Sequence, residues 1–380
     1  MKIVVAIDSF KGSLTSLEAG NSILKGIKKV ISDAEVIVTP IADGGEGTVD
    51  ALVSGLNGKL INVNVLNPLG EEITTSYGII KDNTAVIEMA SASGLTLIPE
   101  SERNPFKTTT YGVGQMIKDA ILKGCTNFII GIGGSATNDG GVGMLQALGY
   151  EFLDGKNKPI SFGANGLARL CTISAKNALS SLKNCTFNIA CDVKNPLCGI
   201  NGASRVFAPQ KGAKKDDIPL LDKYLLNYAN LTKKHYPNSN KDLEGAGAAG
   251  GMGFAFSSYL NANLLPGIEL VLKETGFATL VKGADLVITG EGKIDEQTAM
   301  GKAPVGIAKI AKSVRATVIA FAGAVSYGAN VVNDFGIDAV FPIVRGACKL
   351  EDAMKHENAT RNLEETVEQV MRLYLKAKNT

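Results

Sequence analysis

Ile132-Gly133-Gly134-Ser135-Ala136-Thr137-Asn138-Asp139-Gly140-Gly141 stands between two kinds of sequence period. Ahead of it, residues 128–132 form an apolar run that reads as a buried strand. Behind it, Val142, Leu145 and Leu148 recur at helical spacing. Strand, glycine turn and helix in that order predict an α/β unit. Glycine lets backbone N–H groups approach a ligand, and a helix N-terminus adds partial positive charge. The stretch therefore reads as a cradle for phosphate or another anion. The competing reading is a tight turn with a Ser/Thr/Asp cap, and four further stretches of similar composition favour the cradle.

At 380 residues the chain is long enough for two domains or one large one. Its 45% apolar and 20% charged residues are those of an ordinary globular protein. The 43 glycines exceed the usual share and cluster, as ligand-approaching loops require. A net charge of +2 with no basic stripe, and no tryptophan or aromatic stacking cluster, argue against a nucleic-acid partner. Six cysteines form no C-x-x-C pair and only two histidines are present, so neither zinc nor a disulfide framework is expected. Cys125 and Cys191 read as small buried hydrophobes in apolar strands. No apolar stretch approaches the ~18 residues of a membrane span, and the start of the chain shows no leader pattern. A cytoplasmic protein is expected.

The run 2–7 reads as a parallel strand covered on both faces. It ends in Asp8-Ser9-Phe10-Lys11-Gly12-Ser13, and a helix over 16–30 follows, with Ser13 or Ser16 as cap. A carboxylate, a lysine and hydroxyls at the end of a first strand sit where open α/β sheets bind ligands. A second strand over 35–41 ends in Ala42-Asp43-Gly44-Gly45-Glu46-Gly47-Thr48, before a helix over 49–54. Its acids Asp43 and Glu46 suit a magnesium ligand or a base facing a hydroxyl. From Lys59 to Met89 the pattern alternates, which predicts antiparallel strands and a domain boundary near residue 60. Arg103 is a candidate carboxylate clamp, and Thr108, Thr109 and Thr110 read as caps of a helix reaching Lys123.

Another apolar strand, 187–191, displays Asp192 at its end, where a metal ligand or base is often found. A helix over 216–235 carries Leu220, Leu221, Tyr224, Leu225 and Tyr228 on one face. The G-x-G-x-x-G at 245–250 has no strand before it, which speaks against dinucleotide binding there. A strand over 286–289 leads into a glycine loop, Gly290-Glu291-Gly292-Lys293-Ile294-Asp295-Glu296, followed by Gly301-Lys302 and a helix over 305–312. Strands over 317–322 and 339–342 and a helix over 359–376 complete the pattern.

Lysines and aspartates in glycine loops at several strand ends suit phosphoryl transfer, which asks mainly for positioning and charge neutralisation. Magnesium needs one or two carboxylates plus water, and a further carboxylate can take the proton of an attacking hydroxyl. Neither G-x-x-x-x-G-K-[ST] nor H-R-D is present. The residues alone lead to phosphate or anion chemistry.

The ordered stretches S-F-K-G-S (9–13), A-D-G-G-E-G-T (42–48), G-G-S-A-T-N-D-G-G (133–141), P-Q-K-G-A (209–213), G-A-G-A-A-G-G (245–251) and T-G-E-G-K-I-D-E-Q-T (289–298) resemble the bacterial type-1 glycerate kinase family. The resemblance covers residues 1–353, and Ile7 departs from it where the family usually has proline. It implies phosphorylation of D-glycerate by ATP with Mg2+, giving 2- or 3-phosphoglycerate. It implies two α/β domains: a discontinuous flavodoxin-like parallel domain, 1–60 plus 285–380, and an inserted mixed-sheet domain, 61–284, with the active site in the cleft between them. Small molecules are then the partners, with no nucleic acid or membrane, and a homodimer is allowed. On this reading Lys11 and Lys293 neutralise phosphate charge, with Asp295 in the same catalytic set. Asp192 is base or metal ligand, and Asp43 and Glu46 shape the acceptor or metal site. Gly133, Gly134, Ser135, Thr137 and Asn138 cradle a phosphate or the glycerate carboxylate, with Arg103 a further carboxylate candidate. Ser9 and Glu291 join the substrate- or nucleotide-binding set. Two rivals remain: an NAD(P)-dependent dehydrogenase, from Gly131-x-Gly133-x-x-Ala136 with Glu151 or Asp154 downstream, and a non-enzymatic organic-acid sensor.

Overall fold

The computed structural model describes residues 1–378. In chain order the strands are β1 (Lys2–Val5), β2 (Glu35–Val38), β3 (Lys59–Leu66), β4 (Glu72–Ile80), β5 (Thr84–Glu88), β6 (Asn127–Gly131), β7 (Glu151–Leu153), β8 (Thr172–Ser174), β9 (Thr186–Ala190), β10 (Asn263–Leu265), β11 (Leu286–Ile294), β12 (Thr317–Val325) and β13 (Ala339–Pro342). They belong to two compact units. Unit one comprises Met1–Asp43, Asp50–Asn57 and the chain from Ile268 onward; unit two comprises Gly44–Val49 and Gly58–Gly267.

Unit one holds a sheet in the order β2-β1-β11-β12-β13, every pairing parallel. Counted within the unit this is 2-1-3-4-5, the flavodoxin order, which reverses direction between β1 and β11. Ile3, Val4 and Val5 have no exposed surface, as a central parallel strand requires. Ile23 and Ile27 of the helix Ser16–Lys28 share the core with Leu363 and Val367 of the helix His356–Lys378.

Two expectations for this unit are corrected. The first helix is capped by Thr15, not Ser13 or Ser16: Thr15 Oγ1 accepts the Glu18 N–H, and Glu18 returns a carboxylate to the Thr15 N–H, a capping box. Ser16 is left to donate to the Ile7 carbonyl (2.6 Å) and accept the Ile41 N–H (2.8 Å), tying together the segments that follow β1 and β2. Second, Gly290 to Ile294 is strand and not loop. It continues β11 in register with β12, Lys293 opposite Ala324 and Ile294 opposite Val325. Glycine permits this close pairing, since a side chain at Gly290 would meet the Phe321 carbonyl oxygen.

Unit two is built on a sheet in the order β10-β9-β6-β5-β4-β3. β10, β9, β6 and β5 pair in parallel, while β4 and β3 continue antiparallel, as the alternating pattern predicts. β7 and β8 form a separate antiparallel pair. The expected threonine caps are corrected in part. Thr109 Oγ1 accepts the Tyr111 N–H (3.2 Å) at the start of the helix Tyr111–Leu122, but its neighbours bind another segment: Thr108 Oγ1 donates to the Ala136 carbonyl, and Thr110 Oγ1, at the cap position, donates to Asp139. In the helix Ile218–His235 the buried face is Leu221, Leu225 and Tyr228, with Leu220 41% exposed and off that face. Cys125 precedes β6 and Cys191 follows β9, so neither lies within a strand. Among the described residues no helix is long and apolar enough to cross a membrane.

Candidate active site

In unit one the segments after β1, β2, β11, β12 and β13 enclose a pocket of about 730 Å³. It lies at the carboxyl ends of the strands and includes the β1/β11 reversal point, where open α/β sheets bind ligands. Ser9, Lys11, Asp43, Glu291, Lys293 and Asp295 all line it. So do Asp8 and Lys302, two residues not among the expected site set.

Asp8 is only 5% exposed, and its Oδ1 accepts the Ser9 N–H at 2.6 Å. Burial, reinforced by Asp43, pushes its carboxyl up to about 7; the Ser9 N–H and Lys11 act in the opposite sense. Glu291 is also pushed up, chiefly by burial, while its hydrogen bond from Thr298 Oγ1 (2.6 Å) and the nearby Lys302 counteract this. Lys302 Nζ stands 3.9 Å from Glu291 Oε2, and Lys293 Nζ stands 3.2 Å from Asp295 Oδ2. Burial would raise Asp295, but Lys293, the Gln297 N–H and Lys302 together hold it below the usual carboxylate value.

Among the described residues no group of three or more His, Cys, Asp or Glu side chains could hold a metal ion by itself. The donors still fit Mg2+, which takes one or two carboxylates and fills its octahedron with water and phosphate oxygens. Asp43 opposes ionisation of both Asp8 and Glu291, a like-charge repulsion that a divalent cation would relieve.

A second group of expected residues gathers inside unit two. β6 and β9 pair in parallel with Gly131 opposite Ala190, so Gly133 and Asp192 follow at equivalent positions just past the strand ends. Asp192 is exposed, and its Oδ1 accepts the Gly267 N–H at 3.0 Å. The segment carrying Glu46 crosses the same ends: a side chain at Gly131 would meet the Gly44 carbonyl oxygen, and one at Gly44 would meet Ala190. Gly133 and Gly134 are exposed there, and Glu46 is exposed too.

The rest of the cradle turns inward. Ser135, Thr137, Asn138 and Asp139 are buried. Asp139 Oδ2 accepts the Thr110 N–H (2.9 Å), Thr110 Oγ1 (2.8 Å) and the Gly143 N–H (3.2 Å), while Oδ1 accepts the Gly141 N–H (3.0 Å). The anion at the start of the short helix Val142–Ala147 is therefore the chain's own carboxylate, and that helix end is a capped turn. Asn138 Nδ2 donates to Ser204 Oγ. Lys211, 1% exposed, donates to Ser135 Oγ (2.7 Å) and to the Thr137 carbonyl (2.6 Å). Burial pushes Lys211 down to about 7, and Asp139 pulls it back up. Arg103 is half-buried with its Nε unpaired, its backbone carbonyl packed where a side chain at Gly212 would project.

Lys211 was visible in P-Q-K-G-A and Lys302 in Gly301-Lys302, but nothing in the sequence marks the first as buried or the second as facing Glu291. Asp8 is signalled only by its place at the end of β1.

The sequence profile of the glycerate kinase family matches residues 3–375. The chain is 50% identical over 357 residues to a glycerate kinase of Bacillus subtilis (strain 168), covering 94% of both chains. It is 46% identical over 373 residues to a glycerate 2-kinase of Escherichia coli (strain K12), covering 97% of this chain and 98% of the relative. A crystal structure of a Salmonella typhimurium LT2 protein assigned as glycerate kinase 2 superposes with a TM-score of 0.92 at 44% identity, covering 100% of both chains. With strand order, pocket and strand-end acids of an α/β kinase and a profile match across nearly its whole length, the chain belongs to the glycerate kinase family.

Proposed function

We propose that this protein is a cytoplasmic glycerate kinase that transfers the γ-phosphoryl group of ATP to a hydroxyl of D-glycerate, with Mg2+. The observation that carries this is the lysine- and carboxylate-lined pocket at the β1/β11 reversal point, in a member of the glycerate kinase family. Lys11, Lys293 and Lys302 neutralise the phosphates. Asp43 and Glu291 would hold Mg2+, which supplies charge neutralisation of the phosphate oxygens when bound.

In unit two, the exposed Gly133-Gly134 backbone receives the glycerate, with Arg103 as carboxylate donor and Glu46 beside the acceptor, while Ser135, held by Lys211, supports the loop from within. Thr137 and Asn138 set the shape of that loop from behind. Asp192, fixed by the Gly267 N–H and unburied, takes the proton of the attacking hydroxyl. A new bond forms between that oxygen and the γ-phosphorus, the bond to the β-phosphate oxygen breaks, and ADP leaves. Asp295, 3.2 Å from Lys293 Nζ, orients that lysine, and Ser9 lines the same pocket as a further polar contact.

A dehydrogenase draws no support: the helix after Gly131-x-Gly133-x-x-Ala136 spans only Val142–Ala147, and Asp139 occupies its start. A glycerate-dependent ADP-release assay separates the kinase from a sensor, and phosphorus NMR of the product distinguishes the 2- from the 3-phosphate ester. Asp192→Asn is expected to lower kcat by about 10²–10⁴-fold. Wild-type turnover in that variant would sink the base assignment.

A further inference from the structure

Sheet order divides the unit-one pocket into two chemically different halves. The β1, β2 and β11 ends contribute Lys11, Lys293 and the acids, whereas β12, β13 and the chain after them contribute Val325, Ile343, Val344, Leu350 and Met354. From β1 to β13 is three interstrand spacings, about 14 Å, a length that suits a nucleoside triphosphate laid across the strand ends. We infer that the apolar half under β12 and β13 is the seat of the nucleotide's adenosine, with the phosphates lying towards Lys11, Lys293 and Lys302.

The proposal rests on the kinase reading and adds the location of the base. Its walls suit a flat aromatic ligand. Leu350 is 73% exposed and Val325 37% exposed, apolar surface that a bound ring would cover. Asn362, on the pocket wall three positions beyond Ala359, supplies an amide able both to donate to and to accept from a base edge. A volume of about 730 Å³ is far larger than a three-carbon acid with oxygen on every carbon can fill. The glycine-rich stretch of unit two offers no competing seat: side chains at Gly250 and Gly251 would collide with the Thr137 carbonyl and Gly140, so those glycines are consumed by packing.

Cys348 lines the same pocket and is exposed, which makes it a reporter; Cys171, exposed in unit two, is the internal control. The full-length protein is alkylated with iodoacetamide and both thiols are followed by mass spectrometry. With MgADP at about ten times its dissociation constant, labelling of Cys348 should slow about tenfold by mass action, with Cys171 unchanged and D-glycerate alone giving no protection. Ala353→Phe, which projects a ring into this half, should raise KM for ATP about tenfold or more while leaving KM for glycerate unchanged. Unprotected Cys348 at nucleotide concentrations that saturate turnover overturns the inference, as does equal slowing of both thiols. Protection of Cys348 without any glycerate-dependent ADP release would uphold the nucleotide seat and overturn the kinase reading instead.

Discussion

Replacing Asp139 by asparagine tests whether the glycine-rich centre of the chain is held by its own carboxylate. Four donors converge on Asp139, three on Oδ2 and one on Oδ1. An asparagine keeps at most the three by turning its carbonyl oxygen towards Thr110 and Gly143, which sets its NH2 against the Gly141 N–H. Loss of that bond costs about 1.5–3 kcal/mol, and the other three weaken from charge-assisted to neutral by about 0.5–1 kcal/mol each. The sum is about 3–6 kcal/mol. With a urea m-value near 3 kcal/mol/M, the unfolding midpoint falls by about 1–2 M. The chain has no tryptophan, and seven of its nine tyrosines (77, 111, 150, 224, 228, 236 and 259) lie in unit two, so tyrosine fluorescence follows the unit that contains the substitution. A midpoint within about 0.2 M of the parent would refute the reasoning, because the four donors would then have found equal partners elsewhere.

Lys211 rests at about 7 in the fold against 10.5 for an ordinary lysine, so between those values the unfolded chain binds more protons and stability rises with pH. Urea midpoints at pH 7 and pH 9 should show this rise, by up to about 1.4 kcal/mol per pH unit, and Lys211→Met should flatten it. If Lys302 neutralises the phosphates as proposed, Lys302→Met should cost about 2–4 kcal/mol in kcat/KM for ATP, read from steady-state kinetics. Gly131→Ala would drive a methyl group against the Gly44 carbonyl oxygen; thermal unfolding should show a loss of about 1–3 kcal/mol.

Periodicity made most of the architecture legible before any coordinates. The apolar runs of β1, β6, β9 and β12 and the alternation of β3 to β5 are each set by residues close together in the chain. The errors arise where a distant partner decides. Gly290 to Ile294 has the composition of a loop, and only pairing with β12, some thirty positions on, makes it a strand. Thr110 looks like a helix cap, yet its hydroxyl meets Asp139, 29 positions away. The same distance effect hides function. Lys211 finds Ser135 and the Thr137 carbonyl 76 and 74 positions back, and Asp8 is perturbed by Asp43, which follows β2, and by Glu291, which lies within β11. Residue type announced which groups could do chemistry; burial and neighbours, which set their charge, required the fold.

The parallel register of β1 against β11 pairs Ile3 with Leu286, so 283 positions of chain separate the two central strands of one sheet. At about 5–20 residues per second, a ribosome needs roughly 15–60 s to deliver the second after the first. Throughout that interval the apolar Ile3-Val4-Val5 segment waits with one flank unpaired, while the continuous 58–267 stretch emerges whole and is free to condense first. Such prior condensation shortens the effective loop that must be closed. Completion of the nascent sheet is thereby deferred until β11 has been made, so the order of synthesis and the order of pairing differ in unit one.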